Sequence, residues 1–201
     1  MPFPPRLAIA SRNPHKLREI LRICAGWPVE WITADDGDGR WPDVEETGAT
    51  YLENATLKAR AVASAVDEPA LADDSGIEVD ALGGRPGPRS ARYAGEHATD
   101  RENLEELIRA IKGVPASGRT ARYQCVVVLA TPGGDDDVVA EGVCEGTLEP
   151  KPRGTRGFGY DPIFVPAGWE TTMAELTDED KDRISHRGRA LRTLGERLLG
   201  P

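Results

Sequence analysis

Short apolar runs and amphipathic stretches alternate along the whole chain. Apolar residues three and four positions apart, which is the period of one helix face, and runs of strong helix formers predict helices. These lie over residues 14–23, over residues 51–66, in a stretch that opens at residue 99, near residue 177, and in a last helix that carries Leu191, Leu194, Leu198 and Leu199. Short apolar or alternating runs predict strands over residues 6–10, 69–72, 77–81, 119–130 and 138–148. This mixture of strands and helices predicts an α/β fold.

The starts of several helices are also marked. The capping box Thr-x-x-Glu opens one helix at Thr50 and another at Thr99. Asn13 is a suitable N-cap, with Pro14 at the first helical position, and Ser185 is expected to cap the final helix. Such side chains satisfy backbone N–H groups that the start of a helix leaves unpaired, so we expect helix boundaries at these positions.

Loops are predicted where Gly, Pro and Asp cluster. Residues 27–48 predict an irregular strand and loop, which is the expected place for local mobility. Residues 83–88 hold three glycines and two prolines, and residues 132–134 read Pro-Gly-Gly between two strands. Asp, Ser and Gly favour turns, so residues 73–76 are predicted to form a turn between two short strands.

Length and composition mainly exclude classes of protein. The chain has 201 residues, 39% apolar and 29% charged, which suits one globular domain over residues 1–201. No apolar stretch approaches the roughly 20 residues that cross a bilayer, and no secretory signal is visible, so a soluble, cytoplasmic protein is expected. The three cysteines are widely spaced, which favours buried thiols over a disulfide framework or a zinc site.

The net charge restricts the partners that the protein can have. A formal charge of −9 repels polyanions over the whole surface, so binding to nucleic acid or to an anionic membrane is not expected. A polyphosphate substrate would therefore need a local basic pocket and a metal ion.

The first stretch that could carry chemistry lies between the first strand and the first helix. It comprises Ser11, Arg12, Asn13, Pro14, His15 and Lys16. A helix N-terminus offers unpaired N–H groups and a favourable dipole to a phosphate, and Lys16 adds a positive charge. The stretch lacks the glycines of a P-loop, and a plain strand-turn-helix with solvated side chains is the alternative.

The second stretch is acidic. Asp73 and Asp74 follow a short apolar strand, and the predicted turn should direct one carboxylate from the edge of the sheet into open space. Glu45 and Glu46 form a second acidic pair in the predicted loop. Mg²⁺ is usually bound by one or two carboxylates together with substrate phosphates, so these residues predict a magnesium site. The alternative is turn chemistry alone.

Two further stretches lie in the last third of the chain. In the glycine-rich residues 154–162, Phe158 or Tyr160 could stack on a nucleobase, and Asp161 is held in direction by the following proline. Further on, His186 and Arg187 fall in the first turn of the last helix, where positive charge opposes the helix dipole unless a ligand compensates it. A packed loop and solvated side chains are the respective alternatives.

Seven motifs in order along nearly the whole chain resemble those of the non-canonical purine triphosphate pyrophosphatases, the inosine/xanthosine triphosphatases of the Ham1 and RdgB type. They are Ser11–Lys16, Glu45–Gly48, Glu53–Ala59, Ala72–Gly76, Ser90–Tyr93, Gly157–Pro162 and Ser185–Gly188. The chain departs from the usual motifs at Arg12 and Arg156, which stand where glycine is common.

The resemblance implies an elongated mixed sheet with flanking helices, in two lobes around a nucleotide cleft, and a homodimer. It implies Mg²⁺-dependent hydrolysis of ITP, dITP and XTP to the monophosphate and pyrophosphate, with Asp74 as general base and metal ligand and Glu46 or Glu45 as a further ligand. It also implies that Ser11 to Lys16, Lys58 and Ser75 hold the triphosphate and sugar, and that Phe158, Gly159, Tyr160, Asp161, Lys181, His186 and Arg187 surround the base and the phosphates.

Two other functions fit the same residues. One is a pyrophosphatase of the Maf type, acting on pyrimidine or modified nucleotides. The other is a nucleotide-binding module without catalysis. The four carboxylates disfavour this module, because carboxylates beside a polyphosphate repel it unless a metal is bound.

Overall fold

A computed structural model describes residues 3–36, 41–134 and 136–199. Helices and strands follow one another in a mixed order along the chain. They are β1 (Arg6–Ile9), α1 (Pro14–Ile23), β2 (Glu30–Ile32), α2 (Tyr51–Val66), β3 (Ala70–Val79), α3 (Asp100–Ala110), β4 (Thr120–Ala130), β5 (Val138–Leu148), β6 (Phe164–Pro166), α4 (Asp178–Ile184) and α5 (His186–Leu199).

The strands form one mixed sheet in the order β2-β1-β3-β4-β5-β6. β1 lies parallel to β2, with Leu7 opposite Trp31, and parallel to β3, with Ala8 opposite Ala70. β5 and β6 are antiparallel. The predicted α/β class, with a mixed sheet and flanking helices, is therefore confirmed.

The chain divides into two compact units. The first comprises the described parts of residues 1–74, 125–142 and 187–201, and the second comprises residues 75–124 and 143–186.

The core of the first unit follows the alternation of strand side chains. Leu7 and Ile9 of β1 pack in one cluster with α1 and α5, whereas Ala8 and Ala10 pack in another with α2. β3 and β4 alternate in the same way, so two helices cover one face of these strands and one helix covers the other.

The second unit has its own core. Ile77 and Val79 of β3, Leu107 of α3 and Phe164 of β6 are buried together. The ring of Tyr123 packs edge-on against Phe164, with ring centroids 4.8 Å apart.

Most predicted helix boundaries are confirmed. Asn13 accepts backbone N–H groups at the start of α1, and capping boxes open α2 at Thr50 and α3 at Thr99. Ser185 lies between α4 and α5 as expected. None of the described helices combines the length and hydropathy needed to span a bilayer.

The predicted turn at residues 73–76 is wrong. These residues continue a single strand, Ala70–Val79, that lies between β1 and β4 in the sheet rather than at its edge. Pairing with neighbours far away in sequence outweighs the local turn preference of Asp, Ser and Gly. The expected loop at residues 27–48 contains the short strand β2, and its residues 37–40 lie outside the described part of the chain.

Candidate active site

Asp73 and Asp74 are neighbours in β3, so their side chains point to opposite faces of the sheet. Asp73 shares its face with Leu71, on the side of α1 and α5, and Asp74 shares its face with Ala72, on the side of α2. Both are buried, with 2% and 5% exposure. The expectation that one carboxylate points into open space is therefore wrong, and each carboxylate instead has partners on its own face.

On the α2 face, Asp74 meets a lysine and a second carboxylate. Lys58 Nζ lies 3.0 Å from Asp74 Oδ1 and 2.7 Å from Glu46 Oε1. Burial raises the pKa of Asp74, the Glu46 charge adds to this, and the positive charges of Lys58 and Lys16 oppose it; the net pKa is above the usual range. Burial would lower the pKa of Lys58, but the carboxylates outweigh burial and keep it protonated.

The carboxylates of Asp74 and Glu46 thus converge on one positive charge. Among the described residues, no group of three or more His, Cys, Asp or Glu side chains is arranged to hold a metal ion by itself. Two carboxylates nevertheless fit Mg²⁺, because the remaining ligands in such sites are commonly substrate phosphates and water. Glu45 is exposed.

On the opposite face, Asp73 is surrounded by positive charge. Arg187 Nη2 lies 2.9 Å and Lys16 Nζ 3.1 Å from Asp73 Oδ2, and Arg187 Nη1 lies 2.5 Å from Glu19. Burial favours a raised pKa for Asp73, but Arg187, Lys16 and Lys58 outweigh it and hold the pKa far below its usual range. Asp73 and Glu19 are thus two buried carboxylates that compensate the positive charge of Arg187 at the start of α5.

In the Ser11–Lys16 stretch, several backbone N–H groups are bonded to side chains of the same stretch. The Asn13 Oδ1 atom accepts the N–H groups of His15 and Lys16 at 2.9 and 3.3 Å, and Ser11 Oγ accepts the Asn13 N–H at 3.2 Å. Arg12 Nη2 donates to the carbonyl of Trp41 at 2.8 Å. Lys16 also joins this stretch to Asp73.

In the second unit, Asp161 is the centre of a buried cluster. Asp161 Oδ2 accepts Lys181 Nζ at 2.6 Å and the Phe158 N–H at 2.8 Å, and Oδ1 accepts the Tyr123 hydroxyl at 3.3 Å. Gly157 has φ +72, and a Cβ there would come within 2.1 Å of Asp161 Oδ2. The glycine is therefore required for packing the loop onto Asp161.

The two aromatic candidates of this loop differ in exposure. Tyr160 is buried and donates its hydroxyl to the Ser90 carbonyl at 2.7 Å, whereas Phe158 is half-buried, with Lys181 Nζ 5.2 Å from its ring centre. His186 stacks on Tyr123 at 4.6 Å with an interplanar angle of 8°. Of the two loop aromatics, Phe158 is therefore the more exposed, and its ring lies beside the Lys181 ammonium group.

The sequence model of the Ham1 family matches residues 7–197, which is nearly the whole chain. The chain belongs to the Ham1 family.

Relatives of this Ham1 chain have been described under an enzymatic name. The chain is 48% identical to the dITP/XTP pyrophosphatase of Geobacillus kaustophilus over 190 residues, which cover 94% of this chain and 92% of that one. It is 45% identical to the dITP/XTP pyrophosphatase of Bacillus subtilis, with 94% and 95% covered. A solved HAM1 protein of Coxiella burnetii matches with a TM-score of 0.86 at 40% identity, covering 96% of this chain and 98% of that one.

Two site residues of this Ham1 chain were missed in the sequence. Glu19 is a buried acid in α1, three residues after Lys16 and next to the buried Ile20. A charged residue beside the apolar stripe of a helix was the available signal. Asn54 is fully buried in α2 and contacts Asp74; it lies in the Glu53–Ala59 motif, but no feature of the sequence indicated a contact with Asp74.

Proposed function

We propose that this Ham1 family member hydrolyses ITP, dITP and XTP to the nucleoside monophosphate and pyrophosphate, and so removes non-canonical purine nucleotides. The observation that carries the proposal is the convergence of Asp74, Glu46 and Lys58 on the α2 face of a buried strand. The names of the two relatives support the reaction and the substrate class.

Asp74 is the proposed general base. A carboxylate that is held beside the attacking water can accept its proton as the water attacks the phosphorus atom. Asp74 and Glu46 would hold Mg²⁺, with Glu45 as the alternative second ligand. When bound, Mg²⁺ supplies neutralisation of the triphosphate charge and polarisation of a phosphoryl oxygen.

The phosphates and the sugar are assigned to the residues around α1 and α2. Lys16 and Lys58 supply positive charge to the triphosphate and to the leaving pyrophosphate. The backbone and hydroxyl groups of the Ser11–Lys16 stretch and of Ser75 supply hydrogen bonds to phosphate or sugar. The buried carboxylates beside both lysines, Asp73 beside Lys16 and Asp74 beside Lys58, orient their ammonium groups before the substrate arrives.

The base is assigned to the glycine-aromatic loop and the start of α5. Phe158 stacks on the base, and the neighbouring groups of Gly159, Tyr160, Asp161 and Lys181 shape its surroundings. Hypoxanthine and xanthine present an oxygen acceptor at position 6, which donors at His186 or Arg187 satisfy, whereas adenine presents an amino group to the same donors. A donor that faces another donor loses its hydrogen bond, which disfavours adenine.

Replacing Phe158 by Ala should raise KM for dITP. Stacking of a base on an aromatic ring contributes about 1–3 kcal/mol, which corresponds to roughly 5–150-fold in binding. Steady-state kinetics measure the change. Trp169→Ala is the matched control, because Trp169 also lies beside a cation, with Arg183 6.0 Å from its ring, and has no proposed ligand. Equal KM values for Phe158→Ala and the parent chain would remove Phe158 from base binding.

The whole chain acts as one catalytic domain over residues 1–201, and it functions as a homodimer in the cytoplasm, where its nucleotide substrates are found. The net charge of −9 supports neither nucleic acid nor an anionic membrane as a partner.

A pyrophosphate-release assay tests the function. Purified protein is given ITP, dITP, XTP, ATP, dUTP or m⁵UTP, with Mg²⁺ or with excess chelator. We expect Mg²⁺-dependent release of pyrophosphate from the first three nucleotides. Turnover of dUTP or m⁵UTP instead would favour a Maf-type specificity, and binding without turnover would favour a non-catalytic module.

A further inference from the structure

Asn54 uses both ends of its side-chain amide inside the proposed site. It is the fourth residue of α2 and is fully buried. Its Oδ1 atom accepts the backbone N–H of Gly48 at 2.8 Å, and its Nδ2 atom donates to Asp74 Oδ2 at 3.4 Å. The residue therefore connects the segment that carries Glu46 to the strand that carries Asp74.

The orientation of the Asn54 amide is determined by its partners. A backbone N–H can only donate, so the oxygen of Asn54 must face Gly48, and the NH₂ group must then face Asp74. A Cβ on Gly48 would lie 2.7 Å from Asn54 Oδ1 and 2.6 Å from Glu53 Cβ. The close approach of this segment to α2 thus depends on glycine at position 48.

Asn54 and Lys58 act on the same carboxylate from successive turns of α2. Lys58 contacts Asp74 Oδ1, and Asn54 contacts Asp74 Oδ2. Residues four apart lie on one face of a helix, so both side chains reach the strand together. Each oxygen of Asp74 then has a different donor, one charged and one neutral, which restricts rotation of the carboxylate.

The chain contains a second asparagine in the same local setting. Asn103 is also the fourth residue of a helix with a capping box, is 2% exposed, and accepts the N–H of Ala94 at 2.8 Å. Its Nδ2 atom donates to the backbone carbonyl of Ala91 at 2.9 Å. The two asparagines share a structural role at the start of a helix, and they differ in that one donates to Asp74.

We propose that Asn54 is a positioning residue for catalysis, which orients the carboxylate of Asp74 and holds the Glu46 segment beside it. This role rests on the proposed function. It acts through Asp74 and Glu46 rather than through contact with the substrate.

The test compares Asn54→Asp with Asn103→Asp. In each variant the oxygen that accepts the backbone N–H is kept and the NH₂ donor is replaced by a carboxylate oxygen, which faces Asp74 in Asn54→Asp and the Ala91 carbonyl in Asn103→Asp. We expect kcat for dITP to fall about 10–100-fold in Asn54→Asp, with a smaller change in KM, which is typical of losing a partner that orients a site ligand. Asn103→Asp should keep kcat within twofold, although both variants should lower Tm.

Hydrogen exchange at residues 45–49 separates the two contacts of Asn54. Gly48 should stay protected in Asn54→Asp, which keeps its acceptor, and should exchange faster in Asn54→Ser, which does not. If the aspartate variants do not fold, the comparison of kcat between Asn54→Ser and Asn103→Ser takes their place, with the same expectation.

Two outcomes would overturn the positioning role. One is a kcat for Asn54→Asp within twofold of the parent chain, and the other is an equal loss of kcat in both asparagine variants, which would reduce Asn54 to a structural residue. If the parent chain releases no pyrophosphate from dITP, the proposed function fails and the role falls with it. An active parent chain with an unaffected Asn54→Asp variant overturns the role alone.

Discussion

Replacing Asp74 by Asn should lower kcat for dITP by about 10²–10⁴-fold, which is the range that general acid–base catalysis contributes. The amide has the same shape as the carboxylate, so it can still accept a hydrogen bond from Lys58, whose Nζ lies 3.0 Å away. It cannot take a proton from water, and as a neutral group it is a poorer ligand for Mg²⁺. Pyrophosphate release at saturating dITP and Mg²⁺ measures the loss, and circular dichroism checks the fold.

Asp80→Asn is the control for the Asp74 variant. Asp80 follows β3 directly and, like Asp74, is paired with a basic side chain, since Arg122 Nη2 lies 2.7 Å from its Oδ1 atom. It is exposed and has no proposed part in the reaction. We expect its removal to leave kcat unchanged. Substantial Mg²⁺-dependent turnover by Asp74→Asn would assign the general base to another residue.

The helices of this protein could be predicted from sequence because their boundaries depend on near neighbours. The residues of a capping box are three apart, as in Thr50 and Glu53, and Asn13 caps its helix through residues two and three positions later. Such contacts form wherever the local sequence occurs, provided that the helix itself is stable.

The strand at Asp73 and Asp74 could not be predicted from near neighbours. Ser75 and Gly76 favour a turn locally, but β3 gains backbone hydrogen bonds and apolar contacts on both sides from β1 and β4. These contacts join residues far apart in sequence. With a turn predicted at residues 73–76, the sequence also did not indicate that Asp73 and Asp74 lie on opposite faces of the sheet, because only a continuous strand sends adjacent side chains to opposite faces.

The partners of Asp73 could not be predicted either, because they are far from it in sequence. Arg187 is 114 residues from Asp73 and 168 residues from Glu19, so no spacing rule relates them. The sequence did show that positive charge at the start of the last helix needs compensation. It could not show that Asp73 and Glu19 provide that compensation.

The two faces of β3 therefore have different tasks. On the α2 face, Asp74, Glu46 and Lys58 form the proposed reaction centre. On the other face, Asp73 joins α1 to α5 through Lys16 and Arg187. Since both carboxylates belong to one strand, we expect the buried ion pairs on one face to hold the backbone that carries Asp74, the proposed general base, on the other.

Replacing Arg187 by Ala should destabilise the fold by about 3–5 kcal/mol, because removal of one partner leaves buried charges without compensation. Arg187 is 1% exposed, and its guanidinium holds the carboxylates of both Asp73 and Glu19. Urea unfolding at neutral pH measures the loss. Arg101→Ala is the control, because the ion pair of Arg101 with Glu105 is on the surface and its removal should leave the midpoint unchanged.

The pH dependence of the Arg187 variant gives a second check. In the parent chain the pKa of Asp73 is lowered by folding, so its contribution to stability is present above its unfolded pKa and is lost as pH falls towards the folded pKa. Without Arg187 the pKa of Asp73 rises and less of this contribution remains. The difference in unfolding free energy between variant and parent should therefore be largest at neutral pH and shrink in acid.

Selectivity separates the two roles assigned to Arg187. As the partner of Asp73, Arg187 affects the stability of the fold. As a donor to the 6-oxo group, it would also affect the choice of base. The second role requires the guanidinium to leave one of its carboxylate partners when the substrate binds. The proposed base contact predicts that Arg187→Ala, assayed well below its Tm, loses part of the preference for ITP over ATP in kcat/KM. A variant that is destabilised but keeps the full preference would assign base selection to other donors, such as His186, and leave Arg187 with the ion pairs alone.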